Sequence, residues 1–331
     1  MFMRFTFSLL CCVLLAGIYQ QAQCQFSDTS YPFNTQYYFN QYLYNPAFAG
    51  ENSQPAAALS YKETTARPRQ GISVDFHTSA HLDKYLSGVG FVFSLRTDTT
   101  FRGYLSAQYR FGASYNFNYK FSENSILKVG LTGNLLHYEN NTDPTIFNNP
   151  SGIIYRRLNE RLLKGSYDIG FLLKFPAARI AASLNHVNQA NFMFWENFVT
   201  YRFRQEIFIT ASADWKFGEN VTFTPGLMLQ QEDRSFLSQF DLIVNYQDFV
   251  FAGFAFRNGS DGDFTDTLNR RSDTHKLRLT LATRILERYQ ITGSVDLPTQ
   301  SNYRRQFEIS LAIFKPRIRE TMDVETSLRN W

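Results

Sequence analysis

Few side chains in this sequence are spaced for covalent chemistry. The most suggestive run is Ser183-Leu184-Asn185-His186, which places a nucleophile, an amide and a base within four residues. A serine hydrolase needs hydroxyl, imidazole and an orienting carboxylate or amide to converge. On one strand Ser183 and Asn185 face opposite to His186, so the local trio does not make that site. The histidines (His77, His81, His137, His186 and His275) are dispersed, with no metal-like spacing. The run from Asn258 to Asp266 carries oxygen ligands suited to Ca²⁺ but lacks a complete Asp-x-Asp-x-Asp-Gly frame, and it reads as a solvated loop. The expectation is a protein that is no enzyme, with no catalytic residues, no metal and no cofactor.

A second set of charged residues follows a different logic. Arg96, Lys128, Arg179, Asp214, Lys216, Asp241, Arg278, Arg284, Asp296 and Glu308 each sit among apolar residues at the alternate position. Both signs occur, so they can pair across a narrow interior and fill it rather than select an ion. The sequence leaves open whether that interior holds water, a plug or a channel.

The elements that would position them are strands. In Val89 to Arg96 the odd positions are apolar and the even ones mostly small or polar. Ile207, Ile209, Ala211, Ala213 and Trp215 share one face, against Glu206, Thr210, Ser212, Asp214 and Lys216 on the other. Leu277, Leu279, Leu281 and Ile285 separate likewise from Lys276, Arg278, Thr280 and Arg284. Side chains alternate along a strand, so each segment has one greasy and one wet face.

The expected strands are 56–62, 71–78, 88–97, 104–120, 125–137, 166–175, 178–187, 204–217, 220–230, 235–246, 248–257, 276–286, 288–297 and 305–314. Very short connections near 122–124, 176–177, 218–219, 247 and 287–288 alternate with long ones at 138–165, 188–203 and 258–275, and with shorter loops on the same side, such as 63–70. That rhythm predicts an all-β transmembrane antiparallel barrel of the bacterial outer membrane, of about fourteen strands, with short turns in the periplasm. Phe307, Ile309, Leu311 and Ile313 alternate up to Phe314, resembling the final-strand signal read by the outer-membrane assembly machinery.

Composition agrees. Aromatic residues make up 17% of the 331, with 33 Phe and 19 Tyr, a load suited to girdles at two membrane interfaces. Past the N-terminus no apolar run is long enough for a membrane helix. The net charge of +4 is mild and scattered, which excludes a basic nucleic-acid-binding face. Arg4 followed by an apolar stretch from Phe5 to Ile18 reads as a secretory signal over 1–24, cut before Gln25. Gln21, Ala22 and Gln23 lack the Leu and Gly usual before a lipoprotein cysteine. Cys11, Cys12 and Cys24 would leave with the signal, excluding disulfides and cysteine-ligated metals from the mature chain. The expected organisation is then a signature segment at 25–55, a barrel at 56–314 and a periplasmic tail at 315–331, with both termini periplasmic.

The signature segment is the least barrel-like part. After Gln25-Phe26-Ser27 it runs from Gln36 to Gly50, with Tyr37, Tyr38, Phe39, Asn40, Tyr42 and Tyr44 leading into Asn45-Pro46-Ala47-Phe48-Ala49-Gly50. In these motifs the chain resembles the PorP/SprF family of type IX secretion system membrane proteins. Looser similarity continues through Gly88 to Phe91, Ala181 to His186, Phe223 to Leu227 and Glu308 to Leu311. An insertion, Asp28 to Thr35, and the tail beyond Phe314 depart from the family pattern. The resemblance implies a role in export across the outer membrane, in gliding motility, or in both. Its implied partners are outer-membrane lipid, type IX machinery subunits and secreted surface proteins such as adhesins.

Physically, Pro46 biases Asn45 toward an extended conformation, and Gly50 can adopt positive φ before the first strand. The rings are too crowded with polar neighbours to face lipid. Either the segment packs in or across the periplasmic mouth, as a plug or a partner-binding surface, or its rings only seal the lower rim. Three functions stay open: an export or retention component, a porin or substrate channel, and an outer-membrane enzyme. The signature favours the first.

Overall fold

The computed structural model describes residues 36–51, 54–66, 69–82, 87–99, 105–122, 124–141, 159–188, 191–194, 199–202, 205–232, 235–259, 274–286, 288–298 and 305–315. The expected signal, Gln25-Phe26-Ser27, the bulk of the 258–266 loop and the tail from 316 lie outside these residues.

The chain forms β1 (Ala57–Ala66), β2 (Arg69–Leu82), β3 (Ser87–Thr99), β4 (Leu105–Ser122), β5 (Ser125–Asn141), β6 (Asn159–Lys174) and β7 (Ala178–Asn185). A small hairpin follows, β8 (Asn191–Phe194) with β9 (Val199–Arg202). The wall resumes with β10 (Glu206–Ala213), β11 (Trp215–Phe217), β12 (Val221–Glu232), β13 (Ser235–Tyr246), β14 (Val250–Gly259), β15 (Thr274–Ile285), β16 (Tyr289–Pro298) and β17 (Arg305–Ile313). Both β10 and β11 pair with β12, as two parts of one strand interrupted at Asp214. Fifteen sheet segments therefore make fourteen barrel strands. The sheet closes where β1 pairs antiparallel with β17, Ala57 opposite Ile313 and Thr65 opposite Arg305. Closure leaves no unpaired edge, which a lipid environment without water demands.

Side-chain alternation turns the usual protein inside out. Phe91, Phe111, Tyr115, Leu131, Tyr167, Leu279 and Leu281 point outward and are exposed, whereas Ser114, Asn116, Asn134, Asp168, Asp296 and Glu308 are buried inside. Tyr119, Trp215, Tyr246 and Tyr289 gather on the outer face toward the short-turn end, where an interface suits amphipathic rings.

The structure extends several strands beyond their expected limits. β1 and β2 reach Ala66 and Arg69, which reduces the expected 63–70 loop to two residues. β5 runs to Asn141 and β6 starts at Asn159, shortening the expected 138–165 connection. The added rungs pair Glu139 with Arg161 and Asn140 with Glu160. Polar on both faces, they carry no hydropathy alternation; an ion pair of 2.8 Å between Arg161 and Glu139 joins the two strands there. The β8–β9 hairpin lies inside the connection expected as loop, its four-residue strands being too short to display a period. His186 is the other correction. It takes positive φ (55°) just past β7 and turns its ring inward instead of opposite to Ser183.

Candidate functional site

The segment from Gln36 to Gly50 lies inside the barrel near its short-turn end. It forms three short 3-10 turns, Tyr37–Phe39, Gln41–Leu43 and Pro46–Phe48. Asn45 is extended (φ −140°, ψ 112°), as the residue before a proline prefers, and its Oδ1 accepts the Ala47 amide at 2.9 Å. Pro46 then begins the last turn, where its missing N–H costs nothing.

Polar contacts tie this plug to the wall around most of its circumference. The Gln36 amide donates to Glu308 Oε2 at 3.2 Å, its side chain donates to the carbonyls of Thr292 and Glu308, and Ser310 donates to its Oε1. Asn40 Oδ1 lies 3.3 Å from His77 Nε2. Tyr42 donates to Ser114 at 2.9 Å, and Ser183 donates to the carbonyl of Tyr44 at 2.8 Å. The Asn45 amide bridges β6 and β7 through the carbonyls of Phe171 (3.1 Å) and Ala182 (3.0 Å). From β4, Asn116 donates to the carbonyls of both Ala47 and Ala49.

The rings fill the gaps between these anchors. Tyr37 packs on Tyr44, and Tyr44 on Phe208, at centroid distances of 5.5 and 5.3 Å. Phe39 meets Phe251 edge-on at 5.8 Å, and the Tyr38 hydroxyl accepts from Arg179 at 3.2 Å. Phe48 is 1% exposed. Burial pushes the Tyr42 hydroxyl up to about 12, outweighing its bond to Ser114.

Inward-facing glycines make room for the plug backbone. A side chain on Gly130 would strike Pro46 and Ala47, one on Gly170 would strike the Asn45 amide, and one on Gly88 would strike the Ala49 carbonyl. Gly90 gives the same clearance to the Tyr42 ring. Gly50 has φ +68° and lies so close to β2 that a Cβ would stand 2.6 Å from the Ala80 carbonyl oxygen. Glu51 then closes the plug between two lysines, Lys128 at 2.5 Å and Lys174 at 2.6 Å. Burial opposes its ionisation, but the two cations prevail and hold the carboxyl down at about 2.

The charged positions singled out in the sequence lie at inward-facing positions of the wall, Asp214 at the break between β10 and β11, in four environments. Lys128 anchors Glu51, and Glu308 holds Gln36. Arg278 grips Asp296 through two bonds of 2.6 and 3.1 Å and also donates to Gln239, which in turn donates to Asp241 at 2.7 Å. Arg96 of β3 stands opposite Ser73 of β2. Arg179, Asp214, Lys216 and Arg284 border an open recess of about 770 Å³ at the short-turn mouth. There Asp214 accepts from Thr224 at 2.7 Å, and the Arg284 guanidinium stacks 4.0 Å from the Phe314 ring.

Several residues of the site escaped the sequence reading. Arg110 donates to Asp168 at 2.7 Å and to Asn134 at 2.8 Å, beneath the Leu43 carbonyl. Both Arg110 and Asp168 occupy polar positions of alternating strands, which was a usable signal. Lys174, Gly130 and Gly170 carried none, because nothing local links them to the plug, and Glu51 follows the signature without belonging to it. The inward turn of His186 sets its Nδ1 2.9 Å from Ser166 Oγ, while its amide donates to Asp168. Ser166 and His186 are 0% and 2% exposed, so this contact ties β6 to the end of β7 within closed packing. Among the described residues no group of three or more His, Cys, Asp or Glu could hold a metal ion.

Solved structures similar to this one are outer-membrane proteins. A Pseudomonas aeruginosa FadL homologue aligns with TM-score 0.51 at 8% identity, covering 81% of this chain and 94% of its own. The Pseudomonas putida toluene transporter TodX aligns with TM-score 0.48 at 10% identity, over 83% and 92%. The Acinetobacter baumannii outer membrane protein Omp33 aligns with TM-score 0.43 at 6% identity, over 79% and 98%. At such identities the likeness concerns fold alone. No curated protein matches the sequence. The family model for the type IX secretion system membrane protein PorP/SprF matches residues 26–313. With that match spanning the plug and every strand of a closed outer-membrane barrel, the chain belongs to the PorP/SprF family of type IX secretion system membrane proteins.

Proposed function

We propose that this protein is a non-enzymatic outer-membrane component of type IX secretion that assists export or surface retention of secreted proteins through protein–protein contacts. The observation that carries the reading is the plug. A diffusion channel needs an open lumen, whereas here the family signature itself packs into the barrel with every residue from Gln36 to Gly50 except Tyr38 buried. Its backbone is held by strands around the wall rather than by one hinge. In this reading the short-turn end, where the plug, β1 and β17 meet, faces the periplasm. Tyr38, the one plug residue left partly exposed, then stands toward the machinery, and the charged interior fills the barrel instead of conducting ions. Adhesins carrying a dedicated export domain are the cargo this role implies, and gliding motility is one process it would serve.

The test is to tag the protein in its native cell, extract the outer membrane in mild detergent and identify what copurifies. Secretion-machinery subunits or a large surface protein in stoichiometric amount are the expected result. A barrel that emerges alone and passes steady current in planar bilayers would replace this reading with a channel.

A further inference from the structure

Beneath the plug, the recess at the short-turn mouth combines features that suit a peptide ligand. Its volume of about 770 Å³ lies in the range of formed ligand sites. Tyr38, Phe39 and Phe48 of the plug roof it, and Phe251 and Phe314 stand on the wall. Its bordering cations are Lys174, Arg179, Lys216, Arg284 and Lys315, and its acids are Glu51, Asp214 and Asp248, so five against three leaves +2. Lys128 behind Glu51 raises the imbalance further.

The cations are also arranged for recognition. Arg284 lies 4.0 Å from the centre of the Phe314 ring and 5.2 Å from that of Phe251, and one of its nitrogens donates to Gln290 at 3.1 Å. Arg179 lies 5.5 Å from the centre of the Tyr38 ring and is bonded to Ser212 at 2.9 Å. Rings that fix a guanidinium plane reduce the entropy lost when its N–H edge meets a carboxylate. Lys216 and Lys315 are exposed at the rim, where they attract acidic groups before contact.

We propose that this recess docks an acidic, aromatic-bearing peptide segment of a partner protein. The cations contact its carboxylates, and its ring packs against Tyr38 and Phe249, the lining rings that remain exposed. The proposal rests on the protein-contact reading above and names the chemistry of the contact. A peptide fits better than a lipid headgroup because Lys174, Arg179, Lys216 and Arg284 stand on inward strand positions, with the barrel wall between them and the bilayer; Lys315 alone lies past the end of β17. The chain's own segment Arg317 to Trp331 is a poorer match, carrying three arginines against three acids.

The test uses the full-length barrel in detergent and fluorescein-labelled peptides, Asp-Phe-Glu-Asp-Phe-Glu against its amide counterpart Asn-Phe-Gln-Asn-Phe-Gln. The acidic peptide is expected to bind at least ten-fold more tightly, with the preference lost at high salt. Lys216→Glu combined with Lys315→Glu is expected to weaken it ten-fold or more, while heat-modifiable gel migration shows the barrel intact. Equal binding of the two peptides overturns the proposal, as does an affinity unmoved by charge reversal. So does soluble phosphatidylglycerol binding with the same charge dependence while the peptide does not bind. Because the assay needs no cell, its failure is distinct from failure to recover machinery by copurification.

Discussion

The side-chain amide of Asn45 occupies the space that a side chain on Gly170 would fill. The same amide donates to the carbonyls of Phe171 and Ala182, so one plug residue reads the β6–β7 seam by both shape and hydrogen bonding. Gly170→Val forces these groups apart. Overpacking of this kind costs about 1–3 kcal/mol, and the plug is the part free to give. The expected outcome is a barrel that still assembles, shown by heat-modifiable migration, with a plug newly accessible to protease and a raised bilayer conductance. Unchanged protease resistance would contradict the docking of Asn45 on Gly170.

The ion triad at the end of the plug is pH-sensitive in a defined direction. Glu51 ionises at about 2 in the folded protein against an ordinary value near 4.5. A depressed carboxyl adds stability that is fully present above the unfolded value and is lost as pH falls through the folded one. Plug retention should therefore hold from neutrality to about pH 5 and weaken between 4.5 and 2, by roughly 3 kcal/mol in all. Glu51→Gln should remove that dependence and destabilise the protein at neutral pH, because Lys128 is left buried without its counter-charge. Protease protection of the plug across pH measures both effects.

Pro46→Ala with Gly50→Val separates the plug from the barrel functionally. Pro46 presets the last turn, and Gly50 holds a left-handed backbone against β2 that valine cannot adopt cheaply. Barrel assembly should be spared and export impaired. Normal secretion by this double mutant would remove the signature from the mechanism.

The outward face can be tested independently of the plug. Leu279 lies midway along β15 and points away from the lumen. Leu279→Arg should cost about 2–4 kcal/mol in urea-dependent folding into liposomes, the penalty for a cation at the bilayer midplane. Its neighbour Thr280 points inward, and Thr280→Arg should show no depth-dependent lipid penalty.

The sequence by itself determined the barrel, because a strand with lipid on one side and packed polar groups on the other must alternate with period two. Ile207 to Trp215 and Phe307 to Ile313 display that period without any partner. The same rule put Arg278, Asp296 and Glu308 on one shared face. It failed where its cause was absent: beyond Tyr138, the β5–β6 rungs carry polar residues on both faces, and at His186 positive φ ends the alternation.

Arg278 and Asp296 already face each other across the β15–β16 hairpin, but which charges meet beyond one hairpin was decided only by closure of the sheet. Closure brings Glu308 to Gln36 across 272 positions of chain and Lys174 to Glu51 across 123. The place of the plug was decided there too. Asn45, Pro46 and Ala47 fit because Gly130 and Gly170, on neighbouring strands, leave their side-chain space empty at one level of the barrel. Alternation is a local property of a strand and can be read along the chain. Complementarity between a segment and a curved wall exists only once fourteen strands have fixed their register.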